Sequence, residues 1–309
     1  MKRFMLWTAI LMAAALIAVT IYYQTSDLVA GSFHVLFQKN HPQKAVKAKN
    51  PLYAETTQKI SYTLQNNQLH VTYDKGKQWT TVPVSKDQLF GGEYSGNRQE
   101  LIDGSYLLTK SQTVFLTEQA TDHNEMKLAL VMSEDQGKTW RHAVVTSYVP
   151  GIRFRKIGFP ASQFGYVIVS ADRTMAQEGT YIYLTPDGGD TWKKTKSPAT
   201  TALIADGGFV SALNGFMSYG TINPDRPRLY VTRDGGKHWL QASIHMPSKY
   251  SHVFVQAETP EYEDDHLMLL INQGESGDYK GNKVKGKFIS RDQGRTWTFL
   301  KEVAADETD

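Results

Sequence analysis

The residues of this chain able to do chemistry fall into three groups: two arginine pairs, one acidic run and a set of loop tyrosines. Arg153 and Arg155 stand two apart in Gly151-Ile152-Arg153-Phe154-Arg155, and Arg226 and Arg228 do so in Asp225-Arg226-Pro227-Arg228. Guanidinium forks match carboxylate geometry, so such pairs could hold an anionic ligand; ion pairing at the surface or between structural units is their commoner use. Residues 258–266 place five carboxylates around Glu261, Tyr262 and Asp264. Paired carboxylates can hydrolyse a glycoside when held across the scissile bond, and an oxygen-rich loop can hold calcium, but a solvated acidic loop is the commonest outcome. Tyr94, Phe154, Tyr219, Tyr262 and Tyr279 lie near loops, where rings could stack on sugar or peptide.

Other motifs fail. Gly281 to Lys287 has glycine-lysine spacing, but Phe288 stands where a phosphate loop needs a hydroxyl, and no His-Glu-x-x-His occurs. In Gly92-Glu93-Tyr94-Ser95-Gly96 the serine is displaced from a nucleophile elbow, and Gly91-Gly92, Gly207-Gly208 and Gly274-Glu275-Ser276-Gly277 read as turns. The chain has no cysteine, which excludes disulfides, zinc-thiolate sites and thiol nucleophiles. No residue takes a catalytic assignment, and no metal or cofactor is expected. The formal charge of +3 is concentrated in residues 1–50; beyond them lie 28 basic and 30 acidic residues, which argues against a nucleic-acid binder.

The elements that must position these groups are announced by one phrase. Ser/Thr-x-Asp-x-Gly-x-x-Trp occurs five times: Thr72, Asp74, Gly76, Trp79; Ser133, Asp135, Gly137, Trp140; Thr185, Asp187, Gly189, Trp192; Thr232, Asp234, Gly236, Trp239; and Ser290, Asp292, Gly294, Trp297. Successive tryptophans are 61, 52, 47 and 58 residues apart, a repeat the size of one propeller blade. The hydroxyl and aspartate can accept backbone N–H bonds in a tight turn, the glycine supplies a positive φ, and the tryptophan covers the hairpin. Alternating or β-branched runs flank each copy, at 59–64, 69–73, 80–84, 127–132, 141–145, 181–184, 229–231, 240–244 and 298–300, and read as strands. Further strands are expected at 252–256 and 267–272, and the polar 193–196 suits an edge strand guarded by lysine.

The phrase resembles the Asp-box, or BNR repeat, of sialidase-like β-propellers, over roughly residues 53–300. The resemblance implies that the box aspartates are structural, on the outer rim, and that ligands meet loops at the mouth of the central channel. Sialidases of this architecture use three arginines, a tyrosine with a glutamate partner and an acid aspartate; here the early Arg-Ile-Pro motif is absent. The fold class expected is all-β, a β-propeller of five blades, with six open, preceded by one N-terminal transmembrane helix.

The domain plan is a cytoplasmic tip at 1–3, a signal-anchor at 4–23, a stalk at 24–50, the propeller at 51–302 and a frayed tail at 303–309. Residues 4–23 carry no charge and follow Lys2 and Arg3, as an uncleaved anchor requires; a cleaved signal peptide is the rival reading. A strand to close the ring is expected near 51–57, with 32–37 as the alternative donor. Function is read as a membrane-anchored, extracytoplasmic binding or assembly module for a glycan, wall polymer or protein partner. The alternative is a glycoside hydrolase or lyase of the sialidase-like superfamily with a non-standard active site.

Overall fold

The computed structural model describes residues 43–44, 56–120 and 126–306, and almost every element in them is a strand. The expected anchor at 4–23, most of the stalk, the alternative donor at 32–37 and residues 51–55 of the closing strand expected at 51–57 lie outside the described residues, and Thr56 and Thr57 are not in a strand. Among the described residues no helix is long and apolar enough to cross a membrane.

A lone strand Gln43–Lys44 (β1) precedes five sheets, antiparallel apart from one pair in the fifth. The first holds Ser61–Gln65 (β2), Gln68–Thr72 (β3) and Thr80–Ser85 (β4) in sequence order. The second holds Tyr106–Leu108 (β5), Thr113–Ala120 (β6), Met126–Ser133 (β7) and Thr139–Thr146 (β8), with β1 paired on the outer edge of β8. Arg155–Gly158 (β9), Gly165–Ala171 (β10), Gly179–Thr185 (β11) and Lys193–Thr195 (β12) form the third. The fourth is built from Ile204–Phe209 (β13), Gly215–Tyr219 (β14), Arg228–Thr232 (β15) and Leu240–Gln241 (β16). The chain then contributes Ser243–His245 (β17), Gln256–Ala257 (β18), Glu261–Glu263 (β19), His266–Asn272 (β20), Val284–Ser290 (β21) and Thr296–Ala304 (β22) to the fifth. There β17 runs parallel to the outermost strand β22, so the chain leaving the fourth sheet is laid along the edge of its neighbour.

Side-chain alternation shows how the sheets stack. Val167 and Val169 of β10 pack with Leu128, Leu130 and Met132 of β7, whereas Tyr166 and Ile168 point the other way, to Ile204, Met217 and Tyr219 of the fourth sheet. Phe115 and Val131 face Val71 and Val82 of the first sheet, and Phe216 and Val231 face Leu269, Ile271 and Phe288 of the fifth. Each core therefore lies between two adjacent sheets, as period-2 strands buried on both faces require. The inner strands β5, β9, β13 and β18 follow one another side by side. This radial succession of meanders is that of a β-propeller.

Three expectations are corrected. Gly207 and Gly208 are not a turn but lie inside β13, because close packing there leaves no room for a side chain: a Cβ on Gly207 would sit 2.6 Å from the Met217 sulfur, and one on Gly208 would sit 2.8 Å from Thr259 and 2.9 Å from the Tyr166 hydroxyl. Residues 252–255 form a turn rather than a strand, with His252 at φ +62°. Strand β22 continues through Val303 and Ala304, with Val303 buried, so order extends two residues past the expected boundary at 302. A short helix, Lys86–Leu89 (α1), also joins the first sheet to the loop that follows it, its Ser85 and Gln88 forming a reciprocal capping box.

Candidate functional site

The five copies of the repeated phrase sit at the turns β3–β4, β7–β8, β11–β12, β15–β16 and β21–β22. In each, the Ser or Thr hydroxyl donates to the aspartate Oδ1 at 2.7–3.0 Å and accepts the glycine N–H at 2.8–2.9 Å. The same Oδ1 accepts the N–H of the seventh residue at 2.9 Å. Thr139, Thr191 and Thr296 add a hydroxyl bond to Oδ2, and His238 Nδ1 lies 2.7 Å from Asp234 Oδ2. All five carboxyls are held below their usual range. Asp187 lies at about 2, through the Thr191 hydroxyl first, then the Thr191 amide and the Thr185 hydroxyl. These aspartates are saturated by their own turns and separated from one another, so they hold the hairpins rather than forming a common site.

The fourth position is left-handed as well as the glycine: Lys75, Gln136, Gly188, Gly235 and Gln293 all have φ between 60° and 70°. The glycines also press on the preceding sheet, since a Cβ on Gly236 would meet Thr195 at 2.6 Å and one on Gly294 would meet Phe216 at 2.3 Å. The turns at Gly236 and Gly294 are therefore fasteners between sheets as well as hairpins.

In an antiparallel meander the first-to-second and third-to-fourth connections share one end, and the second-to-third and inter-sheet connections share the other. The other end carries two adjoining clefts, while one of about 650 Å³, lined by Gln112, Arg141, Gln163 and Asp187 among others, lies at the end of the repeated turns. Glu93, Tyr94, Gly96, Asn97, Glu100 to Asp103, Arg153 to Arg155, Arg173 and Glu275 line an open cavity of about 570 Å³. Four carboxylates line it: Glu93, Glu100, Asp103 and Glu275. A second cavity of about 400 Å³, lined by Asn223, His252, Gln273, Asp278 and Tyr279 among others, shares Glu275 with the first.

Local structure accounts for the positions of Glu93, Glu100 and Glu275. Glu93 and Tyr94 donate their N–H groups to the Ile152 carbonyl at 2.9 and 3.2 Å, while Arg155 Nη2 donates to the carbonyls of Gly91 and Tyr94 at 2.8 and 2.9 Å. Gly92 closes this clamp at φ +87°, where a Cβ would fall 2.6 Å from the Ile152 oxygen. Asn97 Oδ1 accepts the N–H groups of Gln99 and Glu100 at 2.8 and 3.1 Å, an Asx turn that sets Glu100. Asn272 Oδ1 accepts the Gly274 N–H at 2.8 Å and presents Glu275.

The expected ligand residues divide. Arg153 and Arg155 both reach the cavity, but each is engaged. Arg153 grips Glu178 bidentately at 2.7 and 2.6 Å and donates to the Ile204 carbonyl; Glu178 also accepts the Ile204 N–H. Arg155 is buried against Glu118 at 3.0 Å; burial pushes the Glu118 carboxyl up and the Arg155 guanidinium down, each opposed by the charge of the other. Arg226 and Arg228 are exposed and do not line this cavity, and Arg226 borders a separate cleft with Asp225 and Ser251. Glu261 and Tyr262 belong to β19 and Asp264 to its turn, at the end of the repeated turns, so the acidic run is largely a hairpin rather than a free loop. Sequence reasoning missed Glu93, Glu100, Asp103, Arg173 and Glu275. Their one signal was placement in loops between strand candidates.

No family model matches the chain, and no curated protein does. Among solved structures the chain is similar to the GH74 enzyme of Niastella koreensis (15% identity, 78% of this chain and 36% of that one, TM-score 0.39). It is similar also to the GH74 xyloglucanase of Xanthomonas campestris (13%, 76% and 34%, TM-score 0.44) and to the NanB sialidase of Streptococcus pneumoniae (11%, 77% and 35%, TM-score 0.37). The chain spans about a third of the length of these three. The reading as a binding or assembly module is corrected: that module needed only an exposed face, whereas four acids and a tyrosine line one cavity at this end.

Proposed function

We propose that the chain is a glycoside hydrolase or lyase of the sialidase-like superfamily with a non-standard active site, acting in the cavity between Glu93, Glu100, Asp103 and Glu275. The observation that supports this best is the convergence of those carboxylates, from loops belonging to different sheets, at the end away from the repeated turns. Two carboxyls suffice for the chemistry: a protonated one donates to the glycosidic oxygen while an ionised one attacks the anomeric carbon or activates water. Glu100, Asp103 and Glu275 form no ion pair among the described residues and take these roles. Tyr94, half exposed on the cavity wall with its carbonyl tied to Arg155, offers a ring for a sugar to stack on.

The repeated turns are Asp-boxes in this reading, and the propeller has five blades. Support comes from one turn per sheet and from a first sheet of three described strands, where a fourth from residues before 56 would complete the ring. The charge-free segment 4–23 supports an anchor that places the mouth outside the cytoplasmic membrane. The test is turnover of a panel of fluorogenic glycosides by the full chain and by Glu275→Gln, Glu100→Gln and Asp103→Asn variants. Turnover abolished by one of these changes in a folded protein supports the proposal. Turnover untouched by all three, or none on any glycoside, overturns it.

A further inference from the structure

Which glycan enters the cavity is set by how its charges are spent. Three arginines line it, and each is already matched by a carboxylate of the protein: Arg155 by Glu118, Arg153 by Glu178 and Arg173 by Glu93 at 2.8 Å. The first two acids are buried, with side chains 1% and 0% exposed, so they are fixed counter-charges that a ligand carboxylate would have to displace. Removing an arginine from such a pair would leave an acid uncompensated in the interior, at large cost. Glu100, Asp103 and Glu275 have no cationic partner among the described residues. The cavity therefore presents no unspent positive charge and three unspent negative ones.

We infer that the substrate taken here is a glycan without acidic groups, and that an ammonium substituent, as on a de-N-acetylated amino sugar, strengthens its binding. The inference rests on the hydrolase reading for the place of the site, but it concerns charge selection and is read by binding. A carboxylated sugar would meet like charge and no unpaired guanidinium, whereas an ammonium group would meet carboxylates at the rim.

The experiment titrates the full chain calorimetrically with three matched tetrasaccharides: glucosamine, N-acetylglucosamine and galacturonic acid, at about pH 6, where carboxylates are ionised and sugar amines largely protonated. The order expected is amine over acetylated over acidic, by roughly tenfold per step, with the amine's advantage shrinking at high salt. Glu275→Gln should narrow the amine's lead. Glu93→Gln, which frees the partly exposed Arg173, should raise galacturonate affinity several-fold, a gain that an unfolded variant could not produce. Galacturonate binding as tightly as the others, a ranking unmoved by both variants, or no binding by any probe overturns the inference. Binding in the expected order without turnover of any glycoside overturns the hydrolase reading alone, and turnover with acidic sugars preferred overturns the inference alone.

Discussion

Gly294→Ala tests whether the repeated turns fasten sheets to one another or only close hairpins. Two costs apply at Gly294. Its φ of +87° would hold alanine in the left-handed region, at about 1–2 kcal/mol. The added Cβ would also lie 2.3 Å from Phe216 Cε1 and 2.7 Å from its Cζ. Phe216 is fully buried, and its ring sits edge-on to Trp297 at 6.1 Å. The Trp297 indole in turn donates to the Gly294 carbonyl at 2.9 Å, so neither ring can step aside alone. Overpacking of this kind costs about 1–3 kcal/mol more. Gly281 supplies the control, because its φ is +67° and nothing lies within 4 Å of its Cβ position. Gly281→Ala should cost only the backbone share, and the smaller unfolded-state entropy of alanine cancels between the two variants. Urea unfolding of both in the full chain should show Gly294→Ala weaker by about 1–3 kcal/mol, with turnover unchanged. Equal losses in the two variants would refute the fastening role.

Other outcomes follow from the same geometry. Glu275→Gln should lower kcat by about 10²–10⁴ if Glu275 is the acid or base, with thermal unfolding unmoved. Arg155→Met should destabilise by about 3–5 kcal/mol because Glu118 is left charged in the interior, and pairing it with Glu118→Leu should restore most of the loss in denaturant unfolding. Asp187 has a folded-state pKa depressed to about 2, so its stabilisation is present above the unfolded value near 4 and lost as pH falls through about 2. Asp187→Asn should therefore flatten the loss of stability between those pH values, measured by urea unfolding at each pH.

Much of the fold was legible because it is written locally. Val167, Ile168 and Val169 alternate toward two neighbours, and the phrase from Thr185 to Trp192 contains its own hydrogen-bond partners. The helix at 86–89 went unread, because one turn is too short for a periodic pattern even with Ser85 and Gln88 spaced as a capping box. Misreadings arose where a distant contact decides. Gly207 and Gly208 resemble a turn until Met217, Tyr166 and Thr259 crowd them. The left-handed fourth position is filled by Lys75, Gln136 or Gln293 as readily as by glycine, because the surrounding bonds hold the turn. The site was the least visible part. Glu178 lies 25 residues from Arg153, and Glu118 lies 37 from Arg155, with no pattern linking either pair. Glu275 lines the same cavity as Glu100 and Asp103 only because sheets far apart in sequence present loops at one end.

The strand β17, laid parallel along β22, bears on how molecules of this protein behave in company. An uncovered outer strand is a template onto which a second chain can add itself. Here the fifth sheet is sealed by β17, the second by β1, and the third ends in exposed lysines, Lys193 and Lys194. Because β17 is tethered to the fourth sheet by a single residue, Ala242, its release would leave a sticky border and a loose ribbon on the same molecule. At high concentration, two such molecules could trade ribbons, and chain-linked pairs would then form while every core stayed intact.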